Sequence, residues 1–234
     1  MTQIIEILEY LRNYPLFDNI TLSNKLNKGK KYTNLFLYRL IKKKRIFRIE
    51  KNKYTVYDDP LLIASRIRWP SYITCWSAIK FHNLTEQIPN YIWVGIKRYK
   101  KPIEFFNTKI IFVKINNNNF FGYEKLRYNN FEIFMAEPEK AIIDSMLLKK
   151  VSYSEIRDII SSNLGKLSIN KFLKYLKRIG NKSLIKRFGY LFESLGKDYH
   201  DKLKKYIDAT YISLDFSKKK VGEKNKKWRL IINA

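Results

Sequence analysis

The apolar residues of this chain change their spacing near residue 46, from a helical repeat to strict alternation. Before that point they recur at three- and four-residue steps, which predicts a helix over residues 31–44. After it, residues 46–50 and 53–57 alternate apolar with polar side chains, as strands do. Lys51 and Asn52 lie between the two runs, and asparagine tolerates the positive φ of a tight turn. The sequence therefore predicts a helix that leads directly into a β-hairpin.

Two shorter helical patterns precede this pair. Residues 1–13 have apolar positions at helical spacing, and a second short helix follows, for which Thr21 is the expected cap. Gly29 lies in the turn before the third helix, where a left-handed backbone is easily formed. This order of three helices and a hairpin predicts a winged helix-turn-helix domain over residues 1–60.

Residues 61–234 predict a second domain that mixes helices and strands, so the fold class expected for the whole chain is α+β. Branched and aromatic residues predict strands at 91–96, 108–115 and 131–136. Helices are predicted after Pro60, after Thr74 and after Pro138, followed by three more between residues 153 and 195. Short strands are expected near the end of the chain, with residues 215–228 between them as a loop.

Positive charge is concentrated where the third helix meets the hairpin. The chain has a formal net charge of +26, which draws a protein toward polyanions. Residues 25–53 contain 12 Lys and Arg against one acid, Glu50, a balance of 12 − 1 = +11. Double-stranded DNA is the predicted partner, because the cations coincide with the helix and wing that would approach a phosphate backbone.

The predicted DNA contacts divide into two groups. Cations at the end of the helix and on the hairpin are expected to meet phosphates without choosing a sequence, and they are Lys42, Lys43, Arg48, Lys51 and Lys53. Base edges are expected to be read from the first turns of the helix, where asparagine suits adenine and arginine or lysine suits guanine. The residues expected to read bases are Lys31, Tyr32, Asn34, Tyr38 and Arg39, and Lys30 completes the predicted set of DNA contacts.

A second basic strip lies on the predicted helix near residues 168–180. Its cations occupy one helix face, opposite an apolar one, and they are Lys171, Lys174, Lys177 and Arg178. Three interpretations are open: a solvated helix face, an extension of the anion-binding surface, or a docking surface for an acidic protein. If it extends the surface, the strip and the wing are expected on the same side of the molecule.

Residue types that carry catalytic or metal chemistry are scarce. The chain has one cysteine, Cys75, and two distant histidines, His82 and His200, so no metal site, no cofactor and no enzymatic activity are expected. Lys140 and Asp144 are spaced as an i, i+4 helix pair, which is the preferred interpretation over a nuclease site. No apolar run is long enough for a membrane span, and the single cysteine suits the reducing cytoplasm expected for this chain.

Several segments together resemble the AbiEi antitoxin family of type IV toxin–antitoxin systems. The predicted wing, residues 45–57, is similar to the wing of that family's N-terminal winged helix. The stretches 71–89 (SYITCWSAIKFHNLTEQIP) and 131–147 (FEIFMAEPEKAIIDSML) resemble two of its central segments. Residues 187–196 (RFGYLFESLG) and 226–233 (KKWRLIIN) resemble its later helix and closing strand.

The resemblance implies two activities. The N-terminal domain would bind and repress its own promoter, and the C-terminal domain would counteract an AbiEii-like nucleotidyltransferase toxin. Motif positions matched in this chain are interpreted as scaffold, and they are Trp76, His82, Pro138, Glu139, Lys140 and Asp144. The chain departs from the family's pattern in its wing turn, which has Asn52 and Lys53 without a glycine, and at Asn83, which replaces the common glycine.

Three alternatives stay open on the sequence. The first is a stand-alone winged-helix transcriptional regulator without a toxin partner. The second is a nucleic-acid-processing enzyme such as a nuclease, for which Glu139 and Asp144 would be the candidate carboxylates. The third is an interaction protein whose basic surface meets an acidic protein and never DNA.

Overall fold

The structure, a computed structural model, describes residues 2–233 and places three helices and a hairpin at the start of the chain. These elements are α1 (Thr2–Leu11), α2 (Asn19–Leu26), α3 (Lys30–Lys42), β1 (Phe47–Glu50) and β2 (Lys53–Thr55). The strands pair antiparallel, with Arg48 opposite Tyr54 and an irregularity between Arg48 and Glu50. Tyr54 also forms a bridge with Phe17, with both N–H···O distances at 2.9 Å, so the α1–α2 connection joins the hairpin.

The local chemistry of these helices follows their sequence, with two corrections. Gly29 is extended, with a φ of −68°, and the left-handed residue between α2 and α3 is Asn27, with a φ of 49°. Asp18, not Thr21, caps α2, because its carboxylate accepts from the Thr21 backbone N–H at 2.8 Å and Thr21 lies within the helix. Asn52 has a φ of 58°, the left-handed turn conformation that the sequence predicts there.

A mixed sheet of six strands forms the centre of the remaining chain, in the order β5-β6-β4-β3-β8-β7. The strands are β3 (Ser71–Ile73), β4 (Tyr91–Ile96), β5 (Ile103–Phe105), β6 (Thr108–Lys114), β7 (Tyr123–Tyr128) and β8 (Phe131–Ala136). The β4–β6 and β3–β8 pairs are parallel, and the other neighbours are antiparallel. The predicted strands at 91–96, 108–115 and 131–136 are present, and β3, β5 and β7 add to them.

Seven helices accompany this sheet within residues 2–233. They are α4 (Pro60–Ala64), α5 (Cys75–Phe81), α6 (Pro138–Leu147), α7 (Tyr153–Ser162), α8 (Ile169–Ile179), α9 (Lys182–Ser194) and α10 (His200–Leu203). A three-stranded sheet follows, formed by β9 (Ile212–Ser213), β10 (Glu223–Asn225) and β11 (Leu230–Ile232) in the order β10-β11-β9. The strand β10 lies inside the predicted 215–228 loop, so that prediction was wrong for its three residues.

The buried side chains separate into two clusters. The smaller joins α1, α2 and α3 to the start of the hairpin, and its buried members are Ile7, Leu11, Phe17, Leu22, Leu37, Leu40 and Ile46. The larger extends from Leu62 to Leu230, and Phe47 and Ile49 of the hairpin pack against it. The overall class is α+β, as predicted. No helix of residues 2–233 has the length and apolar character needed to cross a membrane.

Candidate nucleic-acid interface

The third helix is anchored by one face and presents the other to solvent. Thr33, Leu37 and Leu40 are buried, as the apolar spacing predicts, and the Thr33 hydroxyl donates to the Gly29 carbonyl at 3.2 Å. Ten of the eleven predicted DNA contacts are exposed, namely Lys30, Lys31, Tyr32, Asn34, Tyr38, Arg39, Lys42, Lys43, Arg48 and Lys51. The basic side chains of α3 and its C-terminal end therefore remain available to a partner.

A cleft of about 550 Å³ opens where α2, the start of α3 and the hairpin meet. Its cations are Lys30 from α3 and Arg48 and Lys51 from the hairpin, and its lining residues include no acid. The remaining walls are mostly neutral and polar, from Asn19, Ile20, Ser23, Asn24, Asn52 and Tyr54. The cleft therefore combines positive charge with amide groups and one 65% exposed apolar side chain, Ile20.

Hydrogen bonds hold the wall of this cleft together. The Asn19 backbone N–H donates to the Asn52 side-chain oxygen at 3.0 Å, which ties the start of α2 to the turn of the hairpin. The Asn19 side-chain amide donates to the Asn34 side-chain oxygen, which ties α2 to α3. Two of the groups that could contact DNA, Asn34 and Asn52, are therefore held in place by Asn19 before any ligand arrives.

Lys53 differs from the other predicted contacts. It is half-buried, its ammonium lies 3.2 Å from a Glu50 oxygen, and it donates to the Ile67 carbonyl at 2.5 Å. Lys100 donates to the other Glu50 oxygen. Burial pushes the pKa of Glu50 upward, but Lys100 and Lys53 outweigh that effect and hold the pKa below its ordinary value. Lys53 is thus committed to an internal ion-pair group at the hairpin turn.

The second basic strip lies on α8, with an apolar face of Phe172, Leu173 and Leu176 buried beneath it. Lys171 lies 3.3 Å from a Glu137 oxygen, and the Arg178 guanidinium stacks 3.8 Å from the centroid of the Phe121 ring. Lys174 is exposed and Lys177 is partly exposed. Half of the strip therefore takes part in contacts within the chain.

The motif residues around α6 form a buried polar group. Lys140 and Asp144 are both fully buried and paired, and Lys140 also donates to the Tyr72 hydroxyl at 3.1 Å. The second Asp144 oxygen accepts from Tyr72 at 3.0 Å and from Thr74 at 2.8 Å. Burial raises the pKa of Asp144 despite these partners, and it raises the pKa of the adjacent Cys75 thiol to about 12.

This arrangement fits the scaffold interpretation of the motif positions. Both Asp144 oxygens are occupied, and Glu139 is buried with one oxygen accepting from the Ser168 N–H at 2.7 Å. The His82 ring shares a 2.8 Å hydrogen bond with the Ala136 carbonyl. The two carboxylates proposed for a nuclease are therefore inaccessible to a nucleic acid. Among residues 2–233, no three His, Cys, Asp or Glu side chains are grouped as a metal site would need.

Sequence reasoning missed the contribution of α2 and of Lys100. Asn19 and Asn24 line the cleft although neither lies in a basic run, and no spacing signal marks them. Lys100 is 50 residues from Glu50 in the chain, and only the fold brings the two together.

A scan against protein-family models finds no match for this chain, and a search of curated proteins finds none either.

Proposed function

We propose that residues 1–60 form a winged helix-turn-helix that binds duplex DNA, with α3 in the major groove and the hairpin against the neighbouring backbone. The observation that carries the proposal is the cleft shared by α3 and the hairpin. Cations from both elements, Lys30, Arg48 and Lys51, line this cleft without an acidic neighbour. Such a surface attracts phosphates and has no carboxylate in its lining that would repel them.

The Phe17–Tyr54 bridge supports the same proposal. It attaches the hairpin to the α1–α2 connection, so that the hairpin is held beside the helices. A wing has to be fixed in this way if it and α3 are to meet one stretch of duplex. The Asn19–Asn52 hydrogen bond fixes the turn of the hairpin in addition.

The roles within the interface follow from position and chemistry. Lys42, Lys43 and Lys51 are exposed and take phosphate contacts, which supply affinity that depends on salt but not on sequence. Tyr32, Tyr38 and Arg39 project from the exposed face of α3, and of these Arg39 suits bidentate recognition of guanine. Lys53 is left out of the contact set because of its ion pair and its bond to Ile67.

The biological role within this proposal rests on the resemblance to the AbiEi family. The protein acts in the cytoplasm as a repressor of its own promoter and as an antitoxin against a nucleotidyltransferase-like toxin. The alternative role is a stand-alone transcriptional regulator. A gene for a nucleotidyltransferase-like protein beside this one distinguishes the antitoxin from the stand-alone regulator.

A titration on DNA from upstream of the gene tests the proposed binding. We expect the combined changes Lys42→Ala, Lys43→Ala and Lys51→Ala to weaken binding to every duplex by roughly 100-fold at physiological salt. The slope of log affinity against log salt should become shallower by about 2.7, since three phosphate contacts are removed. Fluorescence anisotropy at several salt concentrations measures both quantities.

The matched control removes the same charge from a different exposed loop. Changing Lys218, Lys219 and Lys220 to Ala also lowers the net charge by three but leaves the cleft intact. We expect this control to lose only a few-fold in affinity, since it alters the overall field and no proposed contact. Equal losses in the two triple variants, or no loss in either, would contradict the proposed interface.

A further inference from the structure

Residues 97–101, Lys-Arg-Tyr-Lys-Lys, form a further basic element, distinct from the α8 strip and tied to the hairpin through Lys100 and Glu50. They belong to the connection between β4 and β5, outside the N-terminal helices. Lys97, Arg98 and Lys101 are exposed, and Tyr99 is 75% exposed. The next acid along the chain is Glu104.

An ion pair and aromatic packing fix this loop against the hairpin. Lys100, the one half-buried member of the loop, donates to Glu50, which directly precedes the hairpin turn. Directly after β5, the strand that follows the loop, the Phe106 ring packs edge-on against Phe47 of β1 with centroids 4.6 Å apart. The loop is therefore held at the hairpin by contacts at and near its C-terminal end.

The irregularity in the hairpin explains why Glu50 can reach Lys100. In a regular strand, Arg48 and Glu50 would point to the same face. The register shifts between them, and a bulge of this kind re-aims a side chain. Arg48 consequently lines the cleft beside α3, and Glu50 turns to the loop.

The side chains that the ion pair leaves outside are available to a polyanion. Among residues 2–233, no carboxylate lies within 4.0 Å of the Lys97, Arg98 or Lys101 charge. Lys97 lies over the Phe120 ring at 5.1 Å from its centroid, which restricts the side chain without neutralising it. Lys100 in turn neutralises Glu50, the single acid among residues 25–53, so the hairpin turn repels phosphate less.

We propose that the 97–101 loop is a second DNA-contacting element that grips the phosphate backbone beside the hairpin, with Glu50 and Lys100 as positioning residues. This inference rests on the proposed DNA binding and extends it to a part of the chain outside the winged helix. Lys97, Arg98 and Lys101 supply the charge, and the Tyr99 hydroxyl donates to a phosphate oxygen. DNA is the favoured polyanion because the loop is tied through Glu50 to the same hairpin that supplies Arg48 and Lys51 to the cationic cleft.

The test uses the full chain with Lys97, Arg98 and Lys101 changed to Ala, and a fluorescein-labelled duplex of about 30 base pairs. We expect affinity at physiological salt to fall by 10- to 100-fold and the salt slope to become shallower by about 2 to 3. Hydroxyl-radical footprinting should show protected positions beyond the α3 footprint in the native chain, and their loss in the variant. Circular dichroism checks that the variant is folded.

The controls separate failure of this inference from failure of DNA binding itself. If the native chain binds no duplex, both proposals are wrong. If it binds and the Lys42, Lys43, Lys51 variant is weakened, but the loop variant equals the Lys218, Lys219, Lys220 control, only the loop inference is wrong. Tighter binding of the native chain to duplex RNA or to an acidic protein than to duplex DNA would also overturn it.

The positioning role of Glu50 predicts a change in DNA affinity opposite to the change that charge alone predicts. Glu50→Gln removes a negative charge close to the proposed contacts, so charge alone would tighten DNA binding. Because the variant removes the ion pair that ties Lys100 to the hairpin, we expect the loop to be less well positioned, binding to weaken by about 3-fold or more and the loop footprint to fade. Unchanged or tighter binding of the Glu50→Gln chain would overturn the positioning role.

Discussion

At the scale of single residues, the buried pair of Lys140 and Asp144 shows what the α6 motif does. An isolated charge in an apolar interior costs several kcal/mol, and a partner with additional hydrogen bonds offsets that cost. Here Tyr72 bonds to both members and Thr74 bonds to the carboxylate. Because Tyr72 lies in β3 and Thr74 directly follows it, the group joins the central sheet to α6.

Removing either charged side chain should therefore weaken the contact between α6 and the central sheet, and not only a contact within α6. We expect Lys140→Met to lower the free energy of unfolding by about 3–5 kcal/mol, since it leaves the Asp144 carboxylate buried without its cation. Adding Asp144→Asn to this variant should recover about 1–3 kcal/mol relative to the sum of the single changes. Urea denaturation of the four chains in this cycle measures the coupling.

Lys174→Met is the matched control, because Lys174 is an exposed helix lysine. Its stability should stay within about 0.5 kcal/mol of the native chain. Additive effects of the Lys140 and Asp144 changes would show that the two side chains are not energetically coupled.

At the scale of elements, the packing of α9 on the last sheet depends on one glycine. A Cβ placed on Gly189 would lie 2.0 Å from the Trp228 ring, which is fully buried. The indole N–H donates to Glu193 one turn further along α9, and Lys227 lies 2.7 Å from the other Glu193 oxygen. The segments 187–196 and 226–233, distant in sequence, thus form one interlocked unit.

We expect Gly189→Ala to lower the free energy of unfolding by about 3 kcal/mol, because the added methyl must displace the indole or the helix. Urea denaturation followed by tryptophan fluorescence measures the loss. Gly165→Ala is the matched control, since a Cβ there meets no atom within 4 Å, and it should change stability by less than about 1 kcal/mol. Similar effects at the two positions would contradict the packing argument.

The elements differ in how far their own sequence determines them. α3 and the hairpin were predictable because their apolar spacing and the Asn52 turn are local signals. The strand β10, Glu223–Asn225, was not, since polar residues of low strand propensity form it only by pairing with β11. The candidate interface divides in the same way. Its cations form a local run that the sequence shows directly. Asn19 and Lys100 join it only through hydrogen bonds to Asn52 and Glu50, which are 33 and 50 residues away in the chain.

At the scale of the whole molecule, charge alone does not locate the proposed interface. Residues 1–60 carry 13 − 6 = +7 and residues 61–234 carry 34 − 15 = +19, which is about the same density per residue. The difference lies in arrangement, because no acid occurs between Asp18 and Glu50 and the latter is neutralised by two lysines. The surface formed by α3 and the hairpin is therefore one on which few carboxylates would repel a phosphate.

The hairpin also connects the two buried clusters. Ile46 belongs to the small cluster of α1–α3, and Phe47 and Ile49 pack against the large one. A cluster of seven buried apolar side chains is small for independent stability. The N-terminal helices should therefore draw part of their stability from this joint, the contact of Phe47 and Ile49 with the large cluster. Whatever holds the hairpin in place thus contributes both to the stability of α3 and to the position of the proposed DNA contacts.

Phe47→Ala tests this coupling. Removing a half-buried phenyl ring from the joint should destabilise α1–α3 by about 2 kcal/mol, which corresponds to roughly 30-fold faster amide hydrogen exchange in those helices. Amides of β4 and β6, inside the large cluster, should keep their native exchange rates. Tyr38→Ala is the control, because Tyr38 is an exposed aromatic residue of α3, and it should leave both sets of amides unchanged.

If Phe47→Ala accelerates exchange equally in α1–α3 and in the six-stranded sheet, the two clusters unfold as one unit and the joint has no separate role. If it accelerates neither, the N-terminal helices are stable without the hairpin contact, and the position of the hairpin depends on the Glu50–Lys100 pair and the Asn19–Asn52 bond instead.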